Sequence, residues 1–173
     1  MSANAAKTKY IIFHNKGKIV NLNGLDLYFN DNEPLDINNP SNIHTLERIH
    51  NNNANPLLRS YKLLGVYLDE NLTLNHHFSI LSNKLSRALF FIRRVKNLLP
   101  PSALLTLYYS LFHCHLSYCP NILGTSSAKN ISKVSQLQKK AIRILSSSPN
   151  RAHTPPLFLS LNILPFPDLL KLQ

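Results

Sequence analysis

The chain has 173 residues, 44% of them apolar, enough to bury one ordinary domain core or two small subdomains sharing a boundary, and too little for a large enzyme. Two cysteines, Cys114 and Cys119, cannot build a disulfide scaffold, and the opening MSANAAKTKY lacks the apolar stretch that directs secretion, so an intracellular, reduced protein is expected. The formal net charge of +11 points to a polyanionic partner.

From Lys7 to Phe29 the pattern is short and strand-like. Tyr10 to Phe13 form one apolar run, and Asn23-Gly24 is a strong hairpin signal that pairs Ile19–Leu22 with Leu25–Phe29. Residues 30 to 56 are rich in Asn and Pro and read mostly as loop, with room for one strand or short helix. Ser60 to Glu70 then reads as another strand, with Tyr61, Leu63, Leu64, Val66, Tyr67 and Leu68 stopped by Asp69, Glu70 and Asn71.

After residue 74 the period becomes helical. Phe78, Leu81, Leu85, Leu89, Ile92 and Val95 form one stripe, which predicts an amphipathic helix from about His76 to Leu98 with Lys84, Arg87, Arg94 and, less squarely, Arg93 on its polar side. Pro101 suits the first turn of a second helix running to Cys119, apolar nearly all round and hence expected to be buried. A third is predicted over Asn130–Ser146, with Ile131, Val134, Leu137, Ala141 and Leu145 inward and Lys133, Lys139, Lys140 and Arg143 mostly outward. Thr154–Leu161 predicts a short fourth. The fold class expected is α+β, with short antiparallel strands and a hairpin followed by a helical bundle. No apolar run reaches the roughly 18 to 20 residues that span a bilayer, so no membrane insertion is expected.

Charge divides the chain along the same line. Seven of the eight acidic residues precede residue 71, where seven bases balance them. Between Asn71 and Pro167 there is no carboxylate, against eleven Lys and Arg. Unpaired cations repel one another within a compact fold, which is easier to understand if phosphates normally neutralise them. The residues expected to contact a nucleic-acid backbone are Arg93, Arg94, Lys96, Lys139, Lys140 and Arg143, followed by Lys84 and Arg87.

Six stretches, in order over nearly the whole chain, resemble the reverse transcriptases of non-LTR (LINE-type, jockey-like) retrotransposons. S-A-N-A-A-K-T-K-Y-I-I-F (Ser2 to Phe13) resembles the palm segment that follows the catalytic aspartates, and Y-K-L-L-G-V-Y-L-D-E-N-L-T (Tyr61 to Thr73) resembles the primer-grip hairpin region. K-L-S-R-A-L-F-F-I-R-R-V-K-N-L-L-P (Lys84 to Pro100), L-Y-Y-S-L-F-H-C-H-L-S-Y-C (Leu107 to Cys119) and L-Q-K-K-A-I-R-I-L (Leu137 to Leu145) are similar to the thumb helices. A-H-T-P-P-L-F-L-S-L-N-I-L-P (Ala152 to Pro165) resembles the segment after them. Leu74 and Leu123 stand where many relatives carry Trp.

The resemblance implies a partial palm over residues 1–74, a helical thumb over 75–165 and the start of a further C-terminal segment over 166–173. It implies an RNA template and DNA primer duplex as partner, held by the thumb helices, with Lys62 and Gly65 in a primer-grip-like position. A ribonucleoprotein of nucleus or cytoplasm would be its setting. The family's F-x-D-D motif, whose carboxylates hold the Mg2+ ions of phosphoryl transfer, is expected before Ser2, in a missing N-terminal polymerase portion. No catalytic residue, metal ligand or cofactor is therefore expected in this chain, and no polymerisation by it alone. Asp69 and Glu70 are poor substitutes, because neighbours on a strand point to opposite faces and neighbours in a turn rarely converge. Gly65 could admit a nucleic-acid backbone closely or mark a bulge.

Two other readings compete. One is a non-catalytic RNA- or nucleic-acid-binding protein unrelated to retroelements. The other is a hydrolase or zinc protein using Cys119 with His113, Cys114 and His115, disfavoured because His115 and Cys119, four apart on one helix, give two ligands where a structural site needs four.

Overall fold

The computed structural model describes residues 8–15, 27–30, 43–50 and 59–172. Within them the chain is a mixed α/β protein that divides into two units, one ending at Thr73 and one beginning at Leu74.

Among the described residues the first unit has six short strands: β1 (Lys9–Ile11), β2 (Tyr28–Asn30), β3 (Ile43–Thr45), β4 (Glu47–Ile49), β5 (Tyr61–Leu63) and β6 (Val66–Leu68). They pair two by two, β2 with β3 and β5 with β6 antiparallel, β1 with β4 parallel. The parallel pair departs from the expected antiparallel strands. Parallel neighbours need a crossover of a dozen or more residues, which residues 12–46 are long enough to supply. Register places Lys9 opposite Glu47, and their side chains meet at 2.7 Å. Two strands, β3 and β4, occupy the stretch read mostly as loop. The Asn23-Gly24 turn lies outside the described residues.

The run from Ser60 to Glu70, read as a single strand, instead folds back on itself. Leu64 and Gly65 connect β5 to β6 with φ of 45° and 86°. Positive φ at both central positions is what a two-residue type I′ connection requires. Gly65 therefore makes a turn rather than a bulge, and the apolar Leu64 beside it masks the turn in the sequence. Below the hairpin, Asp69 and Glu70 are both buried. The Asp69 carboxylate accepts the Thr73 hydroxyl at 2.9 Å and the Thr73 N–H at 3.3 Å, while Glu70 Oε2 lies 3.6 Å from both His14 and Arg48. These two acids brace the end of the unit.

The second unit is helical. α1 (Asn75–Val95) begins one residue before its predicted start and gives way to a turn over residues 96–99, short of Leu98. Its buried face is Phe78, Leu81, Ser82, Leu85 and Ile92, whereas the expected Leu89 and Val95 are only half-buried. α2 (Pro101–Tyr108) places Pro101 at the first helical position, where its missing N–H would have had no intrahelical partner. The predicted helix to Cys119 is not one regular, wholly buried helix. It passes through a π turn at Tyr109–His113 into the short α3 (Cys114–Leu116), and Tyr109, Ser110, Leu111 and Cys114 are exposed.

Spacing explains the π turn. The buried positions are Leu104, Tyr108, Phe112 and Leu116, each four residues from the last. On a helix of 3.6 residues per turn, every four-residue step overshoots by about 40°. A wider i→i+5 turn absorbs the drift and keeps the four side chains on one line. Tyr108 and Phe112 stack, with ring centroids 5.4 Å apart.

α4 (Pro120–Gly124) buries Leu123, and α5 (Ala128–Leu145) packs against α1. Leu74 and Leu123 are both core residues, 1% and 0% exposed, so aliphatic side chains fill the space at both positions. The Ser127 hydroxyl caps α5 by accepting from the Asn130 N–H at 3.4 Å. α5 buries Val134, Gln138, Ala141, Ile142, Ile144 and Leu145, but the expected inward residues Ile131 and Leu137 are half-buried. α6 (Pro155–Ser160) falls within the predicted fourth helix, and α7 (Phe166–Leu169) packs on α5 through the fully buried Phe166.

Gln138 holds this packing together. Its Nε2 donates to the Tyr108 hydroxyl at 3.1 Å and to the Leu164 carbonyl at 3.0 Å, and its Oε1 accepts the Phe166 N–H at 2.7 Å. Burial pushes the Tyr108 phenol up to about 12, with the Gln138 hydrogen bond opposing the rise.

Leu64, 82% exposed, gains little from burial, so Leu64→Asn should stabilise the protein by about 0.5–1 kcal/mol by easing positive φ, whereas Gly65→Ala should cost about 1 kcal/mol. Replacing Gln138 with Leu or with Met should cost about 2–4 kcal/mol, because either leaves the buried Phe166 N–H and the half-buried Leu164 carbonyl without the partner that Gln138 supplies. Denaturant unfolding of the full chain reads both effects.

Candidate nucleic-acid interface

The basic residues predicted from the sequence fall into distinct places. Arg93 in the last turn of α1 and Lys140 and Arg143 on α5 line one cavity of about 480 Å³, together with Ser86, Leu89, Phe90 and Asn150. On α1 the residues 86, 89, 90 and 93 follow the i, i+3, i+4, i+7 spacing of a single helix face. Arg143 enters from a half-buried position, its Nε–H donating to the Ala152 carbonyl at 3.0 Å, which fixes the guanidinium. Arg93 and Lys140 are exposed, and among the described residues neither has a hydrogen bond or ion pair.

Phe90 is 64% exposed at the edge of this cavity, and the Arg94 guanidinium lies 5.6 Å from its ring centroid. Lys139 lies elsewhere. Adjacent helical residues project about 100° apart, and Lys139 lines a separate, more apolar groove of about 630 Å³ with Phe158, Leu159 and Ile163. Lys84 is on the side of α1 opposite Arg93, since nine residues at about 100° each end half a turn away. Arg87 is exposed outside the cavity lining, and Lys96 is half-buried in the turn after α1. Lys62, in the first unit, is exposed with its ammonium 5.8 Å from the Tyr67 ring centroid.

Sequence reading did not single out the contribution of Ser86, Phe90 and Asn150. The 86-89-90-93 spacing was visible, but Leu89 counted as core and Phe90 carried no charge to draw notice. Lys129, Lys133 and Lys140, all exposed, fall within about 40° of one another on α5 and extend a basic row along about 16 Å of helix. α5 opens without an acidic residue in its first turn and carries Lys129 there, where the positive end of the helix dipole disfavours a cation. An anion at that end would relieve the conflict.

The metal-capable residues are not assembled. His115 and Cys119 do not share a helix, because α3 ends at Leu116 and Cys119 precedes α4 in a left-handed conformation with φ of 50°. Cys114 is exposed, its Sγ 2.8 Å from the Ser110 carbonyl. Among the described residues no group of three or more His, Cys, Asp or Glu is placed to hold an ion, and no helix is long and apolar enough to cross a membrane. No family model, curated protein or solved structure matches the chain.

Burial lowers the pKa of His77, His113 and His115 from the usual 6.5, with Lys84 adding to the effect at His77 and His115. A histidine whose folded pKa is depressed binds fewer protons folded than unfolded. Its stabilising contribution is complete above 6.5 and is lost as pH falls through the lowered value. Thermal unfolding should therefore shift to lower temperature between pH 7.5 and 5.5, and the triple replacement by Gln should flatten that dependence.

Proposed function

We propose that the chain supplies the duplex-holding part of a non-LTR-type reverse transcriptase, with the first unit as a partial palm and the helices of the second as a thumb. The observation that carries this reading is the convergence of Arg93, Lys140 and Arg143 on one concave face of a region with no carboxylate from residue 71 to 167. The six stretches of resemblance agree with it. Backbone phosphates are the ligands such cations suit, and contacts to them position a duplex without reading its sequence. The catalytic carboxylates and their Mg2+ belong, on this reading, to sequence outside these 173 residues, so the chain alone binds primer-template without extending it.

Fluorescence anisotropy across a salt series tests this. Affinity for a primed duplex should fall log-linearly with salt and exceed that for a single strand of the same length. Arg93→Ala or Lys140→Ala should each lower the slope by about 1 and weaken binding to all sequences alike. Equal affinity for duplex and single strand would favour the rival reading of a nucleic-acid-binding protein unrelated to retroelements.

A further inference from the structure

We propose that the cavity between α1 and α5 takes a single nucleoside phosphate unit, the phosphate on Arg93, Lys140 and Arg143 and the base against the Phe90 ring. This rests on the backbone-binding reading above and names the ligand of the cavity that three of its cations line.

Size and lining both argue for it. The cavity measures about 480 Å³ and lies within the roughly 300–1,000 Å³ of pockets that take small organic ligands. A bare phosphate, a few times the roughly 30 Å³ share of one water, would leave most of it empty. The three cations give a strong anion site, and the Arg143 fork, with its Nε–H committed to Ala152, keeps its two terminal amino groups as donors. Leu89 and Phe90 supply an apolar part that an inorganic ion could not use.

Phe90 is the feature that selects a base. A large aromatic side chain left 64% exposed beside a cationic pocket has the composition of a stacking platform, which accepts any base because every base has a π-face. Arg94, 5.6 Å from the centroid of the same ring, adds positive charge beside it. Asn150 offers an amide to ribose or base edges, and the Ser86 hydroxyl, its proton given to the Ser82 carbonyl at 2.7 Å, offers acceptor lone pairs.

The test is calorimetric titration of the full chain with AMP, ribose 5-phosphate and inorganic phosphate, beside binding of a blunt duplex and the same duplex with one unpaired 3′ nucleotide. AMP should bind about tenfold or more tighter than ribose 5-phosphate. Phe90→Ala should erase that difference and Phe90→Trp should keep it, while Lys140→Ala should weaken both ligands. A comparable gain for the overhanging duplex, also lost in Phe90→Ala, identifies an unpaired strand nucleotide as the occupant, and a gain confined to AMP identifies a free nucleotide. Equal binding of AMP and ribose 5-phosphate, or an AMP preference untouched by Phe90→Ala, overturns the proposal. Salt-dependent duplex binding that persists in that case leaves the backbone reading standing, and its loss removes that reading as well.

Discussion

The buried amide of Gln138 is the contact on which the helical unit depends. From the middle of α5 it reaches Tyr108 on α2, the Leu164 carbonyl, and the first N–H of α7 at Phe166. A helix start has N–H groups without intrahelical partners, and here another helix supplies the acceptor that a local cap would normally provide. The bonds also define the amide, because only oxygen can accept from Phe166 and only nitrogen can donate to Leu164. With α5 held on its inner side by this network, its outer side is free to carry Lys129, Lys133, Lys140 and Arg143 in a fixed orientation.

That arrangement separates two jobs within single helices. α1 buries Phe78, Leu85 and Ile92 on one face and brings Ser86 and Arg93 to the cavity on the next. Leu89 sits at the border, half-buried, and serves both. The cost is electrostatic: without carboxylates, the repulsion among these cations falls on the packing of the core, and bound phosphates would lift it.

Much of the helical unit was legible because a 3.6-residue apolar period survives any particular packing. α1, α5 and α6 lie close to where their periodicity places them, and Pro101 marks the start of α2. The misses have separate causes. Gln138 drew no notice because a polar side chain in L-Q-K-K does not show that three partners await it inside the packing. The Leu64-Gly65 turn is hidden since leucine rarely takes positive φ, and the parallel pairing of β1 with β4 joins residues too far apart for a local pattern to record. Charge drew attention to Arg93, Lys140 and Arg143, which line one cavity, yet could not separate Lys139 from Lys140, whose difference is only the angle between successive side chains. Phe90 and Asn150 gave no signal, because cavity lining is a property of shape.

The π turn at Tyr109–His113 bears on how this chain would be compared with others. A turn closed over five residues instead of four accommodates one more residue without breaking the helix. A homologue with a regular helix there would match on both sides only if a one-residue gap were opened inside continuous helix. Without that gap the register is lost at the turn. The half from Phe112 onward would then be compared one position out of step, setting buried residues against exposed ones.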